Sequence, residues 1–305
     1  MRVIVVGLGI QGHKRRAIAG KDVIGVVDPV NPNADYKNIK EVPLDKYDAA
    51  LVCTPDQPKF ELLHYLLSNK KHVLVEKPLL TENQNQLVEL QQLAEKNKTT
   101  AYTAYNHRFE PHFINLKKCI ESGILGKIHM AKFFYGNGTA RDVRNSVWRD
   151  KGDGVLPDLG SHLLDTANFL FGDLRNREFK PLSFDCFENK SYDHVHFGTR
   201  DSSPSLFFEA TLLSWRNTFH ADVYAENGSA HIECLCKWGP STFTVRKRVL
   251  PSGRPPEEVQ TLTQSDPTWA LEYDHFKILC KTGTSNIQND EWINATLTKL
   301  SKFKS

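Results

Sequence analysis

Two short stretches of this 305-residue chain carry side chains suited to moving protons. In His72-Val73-Leu74-Val75-Glu76-Lys77-Pro78 an apolar, Val-rich run ends abruptly in a carboxylate, an ammonium and a proline. Such a run reads as a buried parallel strand, which Pro78 stops. A lysine at the carboxyl end of a central α/β strand points into the crevice where such sheets bind ligands. There its ammonium stabilises negative charge developing on a substrate oxygen. In Pro157-Asp158-Leu159-Gly160-Ser161-His162-Leu163-Leu164-Asp165, the residues Asp158, His162 and Asp165 fall at i, i+4 and i+7 and share a helix face. An imidazole beside a carboxylate carries protons near neutral pH. Taken alone, this second pattern fits an ordinary solvated helix face better than a site.

The elements around both stretches sharpen the reading. Strand Arg2–Val6 runs into Gly7-Leu8-Gly9-Ile10-Gln11-Gly12, and His13–Ala19 forms a short helix closing at Gly20. This is the G-x-G-x-x-G pattern between strand and helix that a dinucleotide requires. Gly7 allows the turn, Gly9 the approach of a pyrophosphate, and Gly12 close helix–strand packing. The helix N-terminus supplies N–H donors to the anion. Strand Val23–Val27 ends in Asp28, placed to bond ribose hydroxyls and to repel a 2′-phosphate, so NAD is favoured over NADP.

The first half continues as alternating elements. Strand Ala49–Cys53 ends in Thr54-Pro55, and helix Pro58–Asn69 precedes the Lys77 strand. Thr81-x-x-Gln84 reads as a capping box that opens the next helix. Strand Thr100–Tyr105 ends in Asn106-His107-Arg108. This alternation predicts a doubly wound parallel sheet. After a helix at Pro111–Glu121 the pattern turns strand-like, with candidates at Lys127–Tyr135, Val195–Thr199, Ser205–Leu213 and Phe243–Val249. Asn227-Gly228 between two further strands is a hairpin signal. The expectation is a largely antiparallel open sheet, with helices near Trp269–Lys281 and Glu291–Leu300 closing the chain. Two domains follow, 1–107 and 108–305. Within the second, Leu159, Leu163, Ala167, Leu170 and Phe171 anchor the His162 helix, and Gly152-Asp153-Gly154 before it is expected to allow close approach of a ligand.

A charged fraction of 25% and a net charge of +3 describe a soluble globular chain and give no case for nucleic acid or a membrane surface. No apolar run approaches membrane-spanning length, and no secretory signal precedes the first strand. Six irregularly spaced cysteines make no disulfide framework, and Cys234-x-Cys236 alone is poor evidence for zinc. A cytoplasmic protein with free thiols and no metal is expected. The open sheet predicts a homodimer or homotetramer.

The ordered motifs Gly7-x-Gly9-x-x-Gly12, Thr54-Pro55, Glu76-Lys77-Pro78, Asn106-x-Arg108, Gly123-x-x-Gly126-Lys127-Ile128 and Asp158-x-Gly160-x-His162-x-x-Asp165 are together more specific than any one. The chain resembles the glucose–fructose oxidoreductase/inositol dehydrogenase (Gfo/Idh/MocA) family over essentially its whole length. The resemblance implies a Rossmann domain followed by an α/β domain on a large antiparallel sheet. It also implies NAD(P)-dependent oxidation or reduction at a carbinol carbon of a sugar, nucleotide sugar or cyclitol. By position Lys77 is then the active-site lysine, and Asp158 and His162 match the second catalytic motif. Lys59 departs from the pattern, standing where a histidine is common.

The residues expected to hold NAD are Gly7, Leu8, Gly9, Ile10, Gln11, Gly12, Asp28, Thr54, Pro55, Glu76, Lys77 and Asn106. His162 is expected to take the hydroxyl proton, with Asp158 orienting it and Lys77 bonding the same oxygen; Lys77 and His162 can exchange these roles. Substrate contacts are expected from Arg108, Arg141, Arg144, Trp148, Arg149 and Asp165, since arginines clamp phosphate or carboxylate and an aromatic ring stacks on a sugar or base. This favours a nucleotide sugar or sugar acid. A cyclitol dehydrogenase, an NAD-dependent glycoside hydrolase and a non-catalytic dinucleotide-binding protein stay open.

Overall fold

A computed structural model describes residues 1–146, 149–199, 203–251 and 253–303. The first unit comprises Met1–Asn106 together with Pro267–Ala295. Its elements are β1 (Val3–Val6), α1 (Ile10–Ala19), β2 (Val23–Val27), β3 (Ala49–Val52), α2 (Lys59–Ser68), β4 (His72–Glu76), α3 (Gln84–Asn97) and β5 (Ala101–Ala104). The strands form a parallel sheet in the order β2-β1-β3-β4-β5. Alternate residues serve opposite faces: Ile4 and Val6 pack with Leu63, Leu66, Leu87 and Leu90 of α2 and α3. Val3 and Val5 pack on the other face with Tyr273 and Phe276. Both faces being covered, the central strands read as continuous apolar runs.

The second unit comprises His107–Asp266 and Thr296–Ser305. It holds α4 (Pro111–Glu121), β6 (Ile128–Gly136), α5 (Ala140–Arg144), α6 (Ser161–Phe171), β7 (Lys180–Asp185), β8 (His194–Gly198), β9 (Ser205–Thr211), β10 (Thr218–Ala225), β11 (Gly228–Glu233), β12 (Ser241–Lys247) and β13 (Glu257–Leu262). These strands make an eight-stranded sheet, β13-β12-β11-β10-β6-β9-β8-β7, antiparallel except for the β6–β9 pair. Phe219, Ala221 and Val223 of β10 are fully buried while the alternating His220, Asp222 and Tyr224 are not, so one face of the sheet is covered. Helices α4 and α6 pack against that sheet.

The last two helices are α7 (Thr268–Thr282) and α8 (Ile287–Ser301). A single cut after residue 107 assigns both to the second domain, whereas Pro267–Ala295 folds with the first unit. The reason is the sheet edge. β5 is an edge strand whose outer backbone groups need partners. Ser285 Oγ accepts the Ala101 N–H at 2.9 Å. The Asn286 side chain accepts from Thr103 N–H at 2.8 Å and donates to its carbonyl at 3.1 Å, standing in for the missing strand.

Three local expectations shift. Helix α3 is capped by Asn83, whose side chain accepts the Gln86 N–H at 3.2 Å, while Thr81 donates its hydroxyl to the Asn83 carbonyl. The cap therefore sits two residues later than the Thr81-x-x-Gln84 pattern suggests. Between β10 and β11 the hairpin forms, but no residue of Glu226-Asn227-Gly228 has positive φ. The turn is held instead by bonds from the Glu226 and Asn227 N–H groups to the Lys127 and Leu125 carbonyls. At Gly154 (φ +54°) the close approach is to the chain itself: a Cβ there would lie 2.1 Å from the Tyr192 carbonyl oxygen.

Candidate active site

In the first unit the glycine turn is shaped on three sides. Gly7 (φ +91°) ends β1, and a Cβ there would lie 2.8 Å from the Cys53 carbonyl oxygen; one on Gly12 would lie 1.9 Å from the Gly7 carbonyl oxygen. Gly9 faces open space, with nothing within 4 Å of its would-be Cβ. Two glycines thus close the turn, and the third leaves the start of α1 uncovered. No side chain caps α1 and no acidic residue lies in its first turn. The N–H groups of Ile10, Gln11 and Gly12, in the first turn of the helix, have no intrahelical acceptor and are the donors such a terminus offers to an anion.

Asp28 is buried at the end of β2 and welded to this turn. Its Oδ2 accepts the Leu8 N–H at 2.7 Å, and its Oδ1 accepts from Val30 (2.9 Å) and Asn31 (2.8 Å). Burial by itself would raise the carboxyl, but the N–H groups of Leu8, Asn31 and Val30 outweigh it and hold the group below its ordinary value. Asp28 is a fixed negative charge at the edge of the turn. Close by, Thr54 Oγ1 is buried without a hydrogen-bond partner in the structure, beside the exposed Pro55.

Lys77 follows β4 directly and is half-buried, and its peptide bond to Pro78 is cis. Lys59, the first residue of α2, holds this loop from behind. Only 2% exposed, it donates to the Pro78 carbonyl and to Asp56 Oδ1, each at 2.7 Å. Glu76 is tied to α1: its Oε1 accepts from Arg15 Nε at 2.6 Å. Arg15, 1% exposed, also pairs with Glu272 of α7 at 2.7 Å and lies over the Trp269 ring at 4.3 Å. Burial would lower the guanidinium, yet the two carboxylates outweigh that and raise it. Asn106 donates to Thr268 Oγ1 at 2.7 Å.

In the second unit, a π-helical turn, Leu156–Gly160, runs directly into α6. Such turns cluster at functional sites because one extra residue re-aims the side chains that follow. Asp158 lies in the π turn and His162 in the first turn of α6, 5% exposed. Leu159, Leu163, Ala167 and Leu170 are buried and anchor the helix. The His162 ring stacks on that of His107, centroids 4.1 Å apart and planes 18° apart. Tyr135 of β6 packs against both at a tilt, at 5.5 Å from His107 and 5.9 Å from His162. Burial pushes the Tyr135 phenol up, and the charges of Asp158 and Glu110 push it further, so it stays a neutral phenol. Lys237 Nζ donates to His107 Nε2 at 3.4 Å. Glu110, at the start of α4, accepts the Cys236 N–H at 3.2 Å; burial raises its carboxyl, while Cys236 and Lys237 favour its charged form.

Arg108 and Asp165 engage each other. Arg108 Nε and NH2 reach the two carboxylate oxygens at 2.8 and 2.5 Å, and Asp165 is 1% exposed. Arg144 reaches the Glu188 carbonyl at 3.2 Å, Arg141 is exposed and Arg149 half-buried. Trp148 lies outside the described residues. Glu110, Cys236 and Asp266 form the one described trio of metal-donor atoms within 4.8 Å of one another. Within it Cys236 and Glu110 are hydrogen-bonded to each other.

Comparison with known sequences then decides the family. Residues 1–105 match the model of an oxidoreductase family with an NAD-binding Rossmann fold, and residues 113–179 match the model of the GFO/IDH/MocA C-terminal domain. The chain belongs to the Gfo/Idh/MocA family. Among relatives of this Gfo/Idh/MocA protein, the Thermotoga maritima myo-inositol 2-dehydrogenase is 31% identical over 45% of the chain and 40% of the relative. A Bacillus subtilis glucose-6-phosphate 3-dehydrogenase is 28% identical over 50% of the chain and 48% of the relative. The chain thus matches about half or less of the length of the first curated relatives. The fold of levoglucosan dehydrogenase in complex with NADH superposes with a TM-score of 0.83 at 16% identity, over 98% of this chain and 96% of that one.

The cofactor of the Gfo/Idh/MocA domain is NAD, and the first unit fits it. Gly9 leaves room, the α1 N-terminus offers donors, Asp28 supplies a fixed acceptor, and Thr54 Oγ1 is a buried hydroxyl in want of a partner. Lys59, Arg15, His107, Tyr135 and Lys237 were not among the sequence candidates. Only Lys59 carried a signal, as a departure from the family pattern. Among the described residues, no helix is long and apolar enough to cross a membrane.

Proposed function

We propose that this oxidoreductase passes a hydride between NAD and a carbinol carbon of an anionic sugar, a nucleotide sugar or sugar acid. The observation that carries the reading is His162. It is a buried imidazole, fixed by stacking at the start of an anchored helix, one turn beyond a carboxylate. Bound NAD⁺ supplies the hydride acceptor. His162 takes the hydroxyl proton and Asp158 orients the imidazole. Lys77, at the end of β4, supplies the ammonium that stabilises negative charge developing on the substrate. The glycine turn, Asp28 and Thr54 hold the dinucleotide. Arg108 and Asp165 spend their charges on each other, so in this reading they position α6, and Arg141 and Arg149 remain for the anionic group of the substrate.

The glucose-6-phosphate 3-dehydrogenase relative supports an anionic sugar. The myo-inositol 2-dehydrogenase relative favours a second reading, a cyclitol. The test is incubation with NAD⁺ and a panel of nucleotide sugars, sugar acids, sugar phosphates, cyclitols and glycosides, following NADH absorbance and products. NADH with one anionic class supports the proposal, and NADH with cyclitols alone moves it to the second reading. Glycoside cleavage without NADH overturns both. Lys77→Ala should lower turnover by a few orders of magnitude with NAD affinity kept; unchanged turnover rejects its role.

A further inference from the structure

The stacked imidazoles have a consequence for proton transfer. Lysine has no acceptor atom, so at the 3.4 Å contact Lys237 is the donor and His107 Nε2 the acceptor. While Nε2 accepts from that ammonium, the neutral His107 ring carries its proton on Nδ1. His107 is 1% exposed and its ring covers one face of His162. Two imidazolium rings stacked at 4.1 Å in a buried setting would repel strongly, so a proton delivered to the pair resides on one ring only. Lys237 decides which one.

We infer that Lys237 and His107 are positioning residues that hold His162 as a free base at neutral pH and direct the substrate proton to it. This rests on His162 as the proton acceptor proposed above. His107 supplies a neutral ring on which the His162 imidazolium can stack, and the Lys237 charge behind it lowers the pH at which that imidazolium forms. The opposing groups in the same unit are named by the packing. Asp158 in the π turn and Glu110 before α4 carry negative charge toward the neighbouring Tyr135 of β6, and Tyr135 itself stays neutral. Asp165, one turn along α6, is neutralised by Arg108. Lys117 of α4 lies over Phe169, further along α6, and donates to its carbonyl at 2.6 Å.

The experiment is a pH titration of histidine ring protons by NMR on the full chain, with His162 assigned by the signal lost in His162→Gln. Lys237→Met should move the His162 midpoint up by about 0.5–1.5 units, the Coulomb effect of one charge across one stacked ring. Lys237→Arg should restore it. In the wild type His107 should show no midpoint between about pH 5 and 8, although an unperturbed histidine titrates there. His107→Ala should lower kcat roughly tenfold to a hundredfold with NAD affinity kept, through loss of the stack. An unmoved His162 midpoint in Lys237→Met, or a His107 that titrates like a free histidine, overturns the inference. Failure of the underlying reading is distinguishable: full turnover by His162→Gln with the titration shift intact removes His162 from catalysis and leaves the electrostatics standing.

Discussion

Lys59 donates its buried ammonium to the carbonyl of Pro78 at 2.7 Å, one residue beyond Lys77. The same nitrogen is tied to Asp56, so the first turn of α2 and the loop after β4 are clamped by one side chain. Lys59→Met removes the clamp and leaves the Pro78 carbonyl without this donor. We expect kcat to fall about tenfold to a hundredfold while the NAD dissociation constant changes little, because small misplacement of a reacting group costs rate more than binding. Fluorescence titration with NADH beside steady-state kinetics checks the split, and Lys59→Arg should recover part of kcat.

Arg15 neutralises Glu76 and Glu272 together in a buried setting. Arg15→Met leaves two buried carboxylates without their cation, which should cost about 3–5 kcal/mol of stability. Arg15→Lys should not rescue it fully, since one ammonium cannot reproduce two arms of a guanidinium lying flat on Trp269. Urea denaturation measures both.

Asp28 has a carboxyl held below its ordinary value, so its sign is that of a depressed acid. Its stabilising contribution is complete above the unfolded value of about 3.9 and is lost as pH falls through the lower folded value. Asp28→Asn should therefore be less stable than the wild type at pH 7, and the gap should shrink in melts taken below about pH 4. NAD binding should weaken as well, because the Leu8 N–H loses its charged acceptor and the glycine turn its anchor.

Gly12 faces the Gly7 carbonyl so closely that a methyl group would sit 1.9 Å from its oxygen. That neighbour is backbone and cannot rotate aside. Gly12→Ala should lose roughly 1–3 kcal/mol or more and most NAD affinity. Gly9→Ala meets no protein atom. It should melt like the wild type while binding NAD more weakly, and thermal melts with and without NAD separate the two cases.

The parallel sheet was legible because most of its strands are largely apolar runs of a few residues, and the helices between them carry their own stripes. The glycine turn was legible for the same reason: its steric demands lie within residues 7–12. The hairpin at Asn227-Gly228 was placed correctly for a reason that does not apply, since bonds to Lys127 and Leu125 hold it rather than positive φ. Glu76 is tied to a residue that no local pattern points to. Its partner Arg15 lies 61 residues earlier.

By itself, the sequence determined the backbone types, the dinucleotide turn and the two stretches bearing Lys77 and His162, because periodicity, glycine sterics and proline act over a few residues. Tertiary structure alone decided which charges are spent on the protein. Arg108 takes Asp165, Arg15 takes Glu76 and Glu272, Lys59 takes Pro78, and Lys237 reaches His107. It also returned Pro267–Ala295 to the first unit, because the edge of β5 needed hydrogen-bond partners that no neighbouring residue offers. Hydrogen bonds and ion pairs act over about 3 Å of space whatever the distance along the chain, so their pairing is settled only once the sheets have brought the partners together.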